Sequence, residues 1–331
     1  MNAPHLPTRR EAIAIGATIA TGAALAAETD AGRPAGPLRL GLQGWVRGDL
    51  TDVTPDVMKP VPEMGYTCLG AHITPAATEI DRDAARRAVA VVRDVGLDFL
   101  QLWGPYPCII PPDEAARRAG VKAAIALVRL AAAMGLPAAG IRPTSLNPQG
   151  PWRAHRDHFT DEVEDRFCRS LGEIVAVAHE EGVSIVLEAS AATVLSSPRR
   201  VKRIVERVDP RRISVNLDPV NFVADFRTAT DPTPMVDELF DVLGPHAATV
   251  HIKDFALENR HVIHVAEVPP CTGLMDMDTV LRRTAALAPE VPAIVEHLPR
   301  KQVPESTAVL IARIRTLGIP LALSPAYRPS P

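Results

Sequence analysis

Aromatic residues make up only 4% of this 331-residue sequence, and neither sign of charge is in real excess: 36 Lys and Arg stand against 39 Asp and Glu, a net charge of −3. A chain so balanced has no basic stripe with which to neutralise phosphates, so no nucleic-acid partner is expected. Its four cysteines, Cys68, Cys108, Cys168 and Cys271, have no C-x-x-C spacing and signal neither a zinc knuckle nor a disulfide framework. No apolar run reaches the roughly 20 residues of a membrane span. Gly41, Gly44 and Gly48 do not form the G-x-G-x-x-G turn that an open doubly wound sheet would carry after its first strand.

What the chain does have is 47% apolar residues, mainly Ala, Val, Leu and Ile, as suits parallel strands buried on both faces. Arg9 and Arg10 precede the mild apolar run AIAIGATIATGAALA, and Ala24 and Ala26 bracket Leu25 in an A-x-A cleavage pattern. This resembles a twin-arginine export signal. It implies a signal peptide over 1–26, a linker over 27–36, and a periplasmic or secreted mature protein with no membrane partner once the signal is removed.

From residue 37 onward, strand-like and helix-like stretches alternate. Strands are expected at 38–45, 66–73, 97–104 and 137–143. A helix capped by Thr54 is expected to run to Met64, bent or broken at Pro60 and Pro62. Further helices are expected near 81–94, 111–135 and 161–181, stopped by Gly96, Gly135 and Gly182. Four more apolar runs follow, SIVLEAS, ISVNLDPVN, ATVHIKD and PAIVEH, with helices near 198–207, 235–243, 276–287 and 304–317. About eight βα units point to a (β/α)8 barrel in a single domain over 37–324, followed by a Pro-rich tail at 325–331.

The last four strands each end in a side chain that binds metal or moves protons: Glu188, Asp218, His251 and Glu296, spaced by 30, 33 and 45 residues. A βαβ unit takes roughly 30 residues or more, so each step is one unit, and a barrel gathers such strand ends at one mouth. Taken singly, each residue has a plainer role: a helix cap or salt bridge for the glutamates, a turn cap for Asp218, a core imidazole for His251. Their recurrence at consecutive units is what points to one site. Three carboxylates and an imidazole suit Mn²⁺, Mg²⁺, Co²⁺ or Zn²⁺ without choosing among them.

The endings LEAS, NLDPVN, VHIKD and IVEH resemble those of the xylose isomerase-like TIM barrel family of sugar phosphate isomerases and epimerases. The resemblance implies that Glu188, Asp218, His251 and Glu296 ligate one divalent cation and that Glu188 and Glu296 double as acid and base. Two positions depart from the pattern. Asn221 stands where many members have a substrate-contacting His, and Leu257 stands where an epimerase-type Arg is expected, with Arg260 only nearby.

Around the four residues, His72, Arg142, Asn221, Lys253 and Trp103 are candidate contacts to a small carbohydrate, and Asp254 resembles the Asp of the family's HxKD turn, which implies that it supports neighbouring site residues or caps a helix. Trp45 and Trp152 are further indoles near the mouth. Period-two alternation aims His297 away from the barrel interior. The expected activity is a metal-dependent sugar isomerase or epimerase that removes a proton next to a carbonyl through an enediolate. A lyase or dehydratase acting by β-elimination on a keto-sugar, keto-glycoside or inosose would use the same groups. An endonuclease-like phosphodiesterase and a non-catalytic carbohydrate binder are more distant alternatives. A homo-oligomer is compatible with the sequence.

Overall fold

The computed structural model describes residues 36–329. The expected signal peptide at 1–26 and all of the linker except Gly36 lie outside the described residues. Eight parallel strands close into a barrel: β1 (Leu38–Gly48), β2 (Cys68–Ile73), β3 (Asp98–Trp103), β4 (Ala138–Ile141), β5 (Ser184–Glu188), β6 (Ile213–Leu217), β7 (Ala247–Ile252) and, after a hairpin, β10 (Ala293–Val295). Pairing runs in chain order from β1 to β7, then to β10, which returns to β1 through Leu40↔Ala293 and Leu42↔Val295. Among the described residues, no helix is long and apolar enough to cross a membrane.

Local chemistry sets the helix limits. Asp81, Asp113, Thr160 and Ser197 each accept a backbone N–H in the first turn of the following helix, which satisfies donors that have no partner inside the helix. The helix Asp161–Glu181 ends where Gly182 turns left-handed at φ 71°, a conformation that costs glycine little. The stretch after Thr54 is broken at its prolines into the single turns Pro55–Met58 and Pro60–Glu63.

Helices cover the outer face of the barrel, and their apolar sides join the outward-facing strand residues in the main core. Trp103, Ala138 and Val186 form a separate buried cluster, and Gly140 lies so close to the Trp103 ring that a Cβ would stand 2.1 Å from it. This cluster marks the inward face. By period-two alternation the inward rows continue from Ala138 and Gly140 to Arg142, from Val186 to Glu188, and from Thr249 to His251 and Lys253.

Two elements were not expected. The chain leaving β7 makes an antiparallel hairpin, β8 (Asp254–Leu257) with β9 (Val265–Val268). β11 (Leu321–Ala322) adds a short parallel strand beside the start of β1. The Ser324 N–H, at the end of the expected domain, donates to the Gly65 carbonyl, and within the expected tail the Arg328 N–H donates to that of Glu63.

Candidate metal centre

Glu188 closes β5, Asp218 and Glu296 follow β6 and β10 by one residue, and His251 lies near the end of β7. All four are buried, and each offers one ligand atom such that the four atoms lie within 4.8 Å of one another. Among the described residues this is the one such group of His, Cys, Asp and Glu.

The site tests well for a cation. His251 Nδ1 is 2.9 Å from Glu296 Oε1 and 3.5 Å from Asp218 Oδ2. Yet Glu296 Oε1, Asp218 Oδ2 and both His251 nitrogens are buried without an aligned hydrogen bond. Buried acceptors this close together, left without aligned donors, are groups that a cation would satisfy. Ligand bonds of roughly 2.0–2.2 Å separate opposite ligands by about 4.4 Å at most, so a few tenths of an ångström of contraction would suffice. The cluster is therefore able to hold a divalent cation, with oxygen donors in the majority.

Among the protein groups themselves, the two glutamates are driven apart. Burial and the Glu296 charge push the Glu188 carboxyl up to about 7. Burial acts on Glu296 in the same direction, but the charges of His251 and Lys253 outweigh it and hold its carboxyl well below the usual range. Burial also opposes charge on His251, and the Glu296 and Asp218 carboxylates overcome this, raising the imidazole to about 10.

Lys253 is buried within the site. Its Nζ lies 2.7 Å from Asp218 Oδ2, 2.9 Å from Glu296 Oε1 and 3.4 Å from Glu267 Oε1. It also donates to Asn221 Oδ1 at 3.4 Å. Asn221 in turn donates through Nδ2 to the Ala189 carbonyl, so it braces Lys253 against the end of β5. Asp254 accepts the N–H groups of Phe255, Gly273 and Met275 and so ties down the loop after β9.

The other candidates divide. His72 is half-buried, with its Nδ1 lacking a partner; burial first, then Arg142 and Arg47, lower its imidazole to about 4. Arg142 packs near the rings of Tyr106 and Trp152. Trp103 is 1% exposed and fills the barrel beneath the mouth. Trp45 is a buried anchor whose Nε1 donates to the Val57 carbonyl, whereas Trp152 is 44% exposed.

His297 corrects the alternation argument. β10 ends at Val295, and His297 takes a left-handed φ of 59°, so strand parity no longer governs it. Its Nδ1 bonds Glu267 Oε2 at 2.9 Å, and its Nε2 lies 3.8 Å from Glu296 Oε2. Glu267, on β9, is the site residue that the sequence reading missed. The only signal was the alternation in VAEV, which leaves Val265 and Glu267 on one face of a short strand.

A sequence search of curated proteins finds no match. Among solved structures, the chain is similar to a xylose isomerase-like TIM barrel protein from Mycobacterium smegmatis in complex with magnesium. That likeness has 17% identity and a TM-score of 0.62, covering 85% of this chain and 96% of that one. It is also similar to D-psicose 3-epimerase with D-tagatose from Clostridium cellulolyticum H10, at 13% identity and a TM-score of 0.62 over 85% of this chain and 99% of that one. A third likeness is to apo 3-keto-D-glucoside 4-epimerase from E. coli, at 17% identity and a TM-score of 0.59 over 84% and 99%. At these identities the likeness is one of fold. Residues 59–315 match the family described as xylose isomerase-like TIM barrel, and with the closed barrel this shows that the chain belongs to that family.

Proposed function

We propose that this protein is a divalent-metal-dependent sugar isomerase or epimerase that removes a proton from the carbon next to a carbonyl. The observation that carries the reading is the Glu188–Glu296 pair. Both carboxyls lie in one buried cluster on strands three positions apart around the barrel, so each can face a different side of a bound sugar, one as base and the other as acid.

Glu188, Asp218, His251 and Glu296 would hold the cation. When bound, it supplies Lewis acidity that polarises a carbonyl and offsets negative charge during proton transfer. Glu296, held as a carboxylate, takes the proton. The Lys253 ammonium stands at the same oxygens and can stabilise negative charge on the substrate's carbonyl oxygen. Glu188 returns a proton from the other side. Their strands are three positions apart around the barrel, β5-β6-β7-β10, which supports placing the two carboxyls on different faces of a sugar.

The epimerases among the structural neighbours support a carbohydrate substrate. The twin-arginine-like segment would export the folded, loaded protein. A second reading draws on His297, held at the rim by Glu267: an acid there could protonate a leaving group and turn the same proton removal into β-elimination. The test is deuterium uptake from solvent into a panel of ketoses and keto-glycosides with Mn²⁺ present. An epimer or aldose product supports the isomerase, a released aglycone or water supports the lyase, and no uptake into any sugar contradicts both.

A further inference from the structure

Arginine 142 is the odd member of the buried arginines. Arg117, Arg142, Arg166 and Arg200 are 2%, 8%, 8% and 9% exposed. Arg117 meets Glu114 and Glu173 at 2.8 Å, Arg166 meets Glu162 at 2.5 Å, and Arg200 meets Glu164 at 2.7 Å. Among the described residues, Arg142 has no carboxylate within ion-pair distance. Its Nη1 donates only to the Gly104 carbonyl at 3.4 Å, and its Nε is buried without a partner. A guanidinium stays charged at any ordinary pH, and an unpaired buried charge is costly.

The fold keeps it there. Tyr106 Oη accepts from the Arg142 N–H at 2.6 Å and donates to the Arg142 carbonyl at 2.9 Å. The guanidinium carbon lies 5.4 Å from the Tyr106 ring centre and 5.5 Å from that of Trp152. The register Ile141↔Leu187, continued by one residue, sets Arg142 beside Glu188. Adjacent strands are about 4.8 Å apart, so a group bound at Arg142 would lie within one sugar skeleton of the proposed reacting carbon. Arg47, in register with His72 on the neighbouring strand, stands on the same side of the mouth, so a second positive charge lies near Arg142.

We infer that Arg142 recognises a carboxylate on the substrate, and that the site's preferred substrate is an acidic sugar, such as a keto-uronate, rather than a neutral one. The Nε edge of a guanidinium matches a planar carboxylate, and one unpaired guanidinium suits a monoanion better than a phosphate dianion. The inference rests on the proposed sugar chemistry for its substrate class, while its binding arm stands independently.

The experiment pairs each ketohexose with its 6-carboxylate and its 6-phosphate, and measures solvent-deuterium uptake by the Mn²⁺-loaded protein. The carboxylate is expected to lead the neutral sugar by at least about tenfold in kcat/KM, the scale of a charge-assisted hydrogen bond. In Arg142→Gln the KM for the carboxylate should rise by a similar factor, with partial recovery in Arg142→Lys. A neutral or phosphorylated sugar preferred by the unaltered protein would overturn the inference while leaving the isomerase reading intact. If no sugar takes up deuterium, the isomerase reading fails, and calorimetry with glucuronate against glucose decides this one. Glucuronate binding that is lost in Arg142→Gln upholds it; no preference for glucuronate overturns it.

Discussion

Lys253 Nζ lies 2.7 Å from Asp218 Oδ2, so two opposite charges from neighbouring strands meet where the cation would bind. The ammonium competes for the same oxygens, and unit charges a few ångströms apart repel strongly at a partly buried site. Lys253→Met keeps most of the side chain's length and removes its charge. It should tighten Mn²⁺ binding by about tenfold, equivalent to about 1.4 kcal/mol, as read by calorimetry. Weaker binding would show that Lys253 supports the site instead of opposing the cation.

The two glutamates should fail in different ways. Glu296→Gln removes the base, and deuterium uptake should fall by about 10²–10⁴-fold. Glu188→Gln leaves Glu296 able to take a proton and return a deuteron to the same face. Uptake should then persist while the epimerised product disappears. Equal loss of both signals in both variants would contradict the division of roles.

His72 should make stability fall in acid. Its imidazole is pushed down to about 4, first by burial and then by Arg142 and Arg47, while the unfolded chain keeps an ordinary value near 6.5. The unfolded state therefore binds more protons between those values. The contribution is full above about 6.5 and is lost as pH falls towards 4. His72→Asn should lose less stability than the unaltered protein between pH 7 and pH 4.5 in urea titrations. Parallel losses would place the acid sensitivity elsewhere.

Gly140 should tolerate no side chain. A Cβ there would stand 2.1 Å from the Trp103 ring, whose indole is itself buried. Gly140→Ala should destabilise the protein by about 1–3 kcal/mol, and pairing it with Trp103→Leu should recover part of the loss. An unchanged urea midpoint would mean that the indole moves freely.

Much of the barrel is legible in the sequence because its signals are local. Asp81 and Thr160 cap their helices, Gly182 stops one, and the apolar runs ending at Glu188, Asp218, His251 and Glu296 follow the βα spacing. The hairpin β8–β9 was not legible. It is four residues on each side, lies inside the loop after β7, and starts at Asp254, whose carboxylate accepts the N–H of Gly273, 19 residues further along the chain. Glu267 was hidden with it. His297 was misplaced because the alternation rule assumes that a strand continues, whereas this one had already ended at Val295. Trp103 reads as a strand-end indole, but the glycine on the neighbouring strand draws it into the interior, where it floors the site. The missing counter-charge of Arg142 is a fact of three dimensions, visible only against the ion pairs of the other buried arginines.

The proposed chemistry requires that four side chains from four strands grip one cation. Titration of Mn²⁺ into the chelator-treated protein, followed by electron paramagnetic resonance, tests it most directly. One bound ion per chain is predicted, with the site lost in His251→Ala and in the double variant Glu188→Ala, Asp218→Ala, and with both variants still folded by circular dichroism. Stoichiometric Mn²⁺ binding that survives in those folded variants would contradict it.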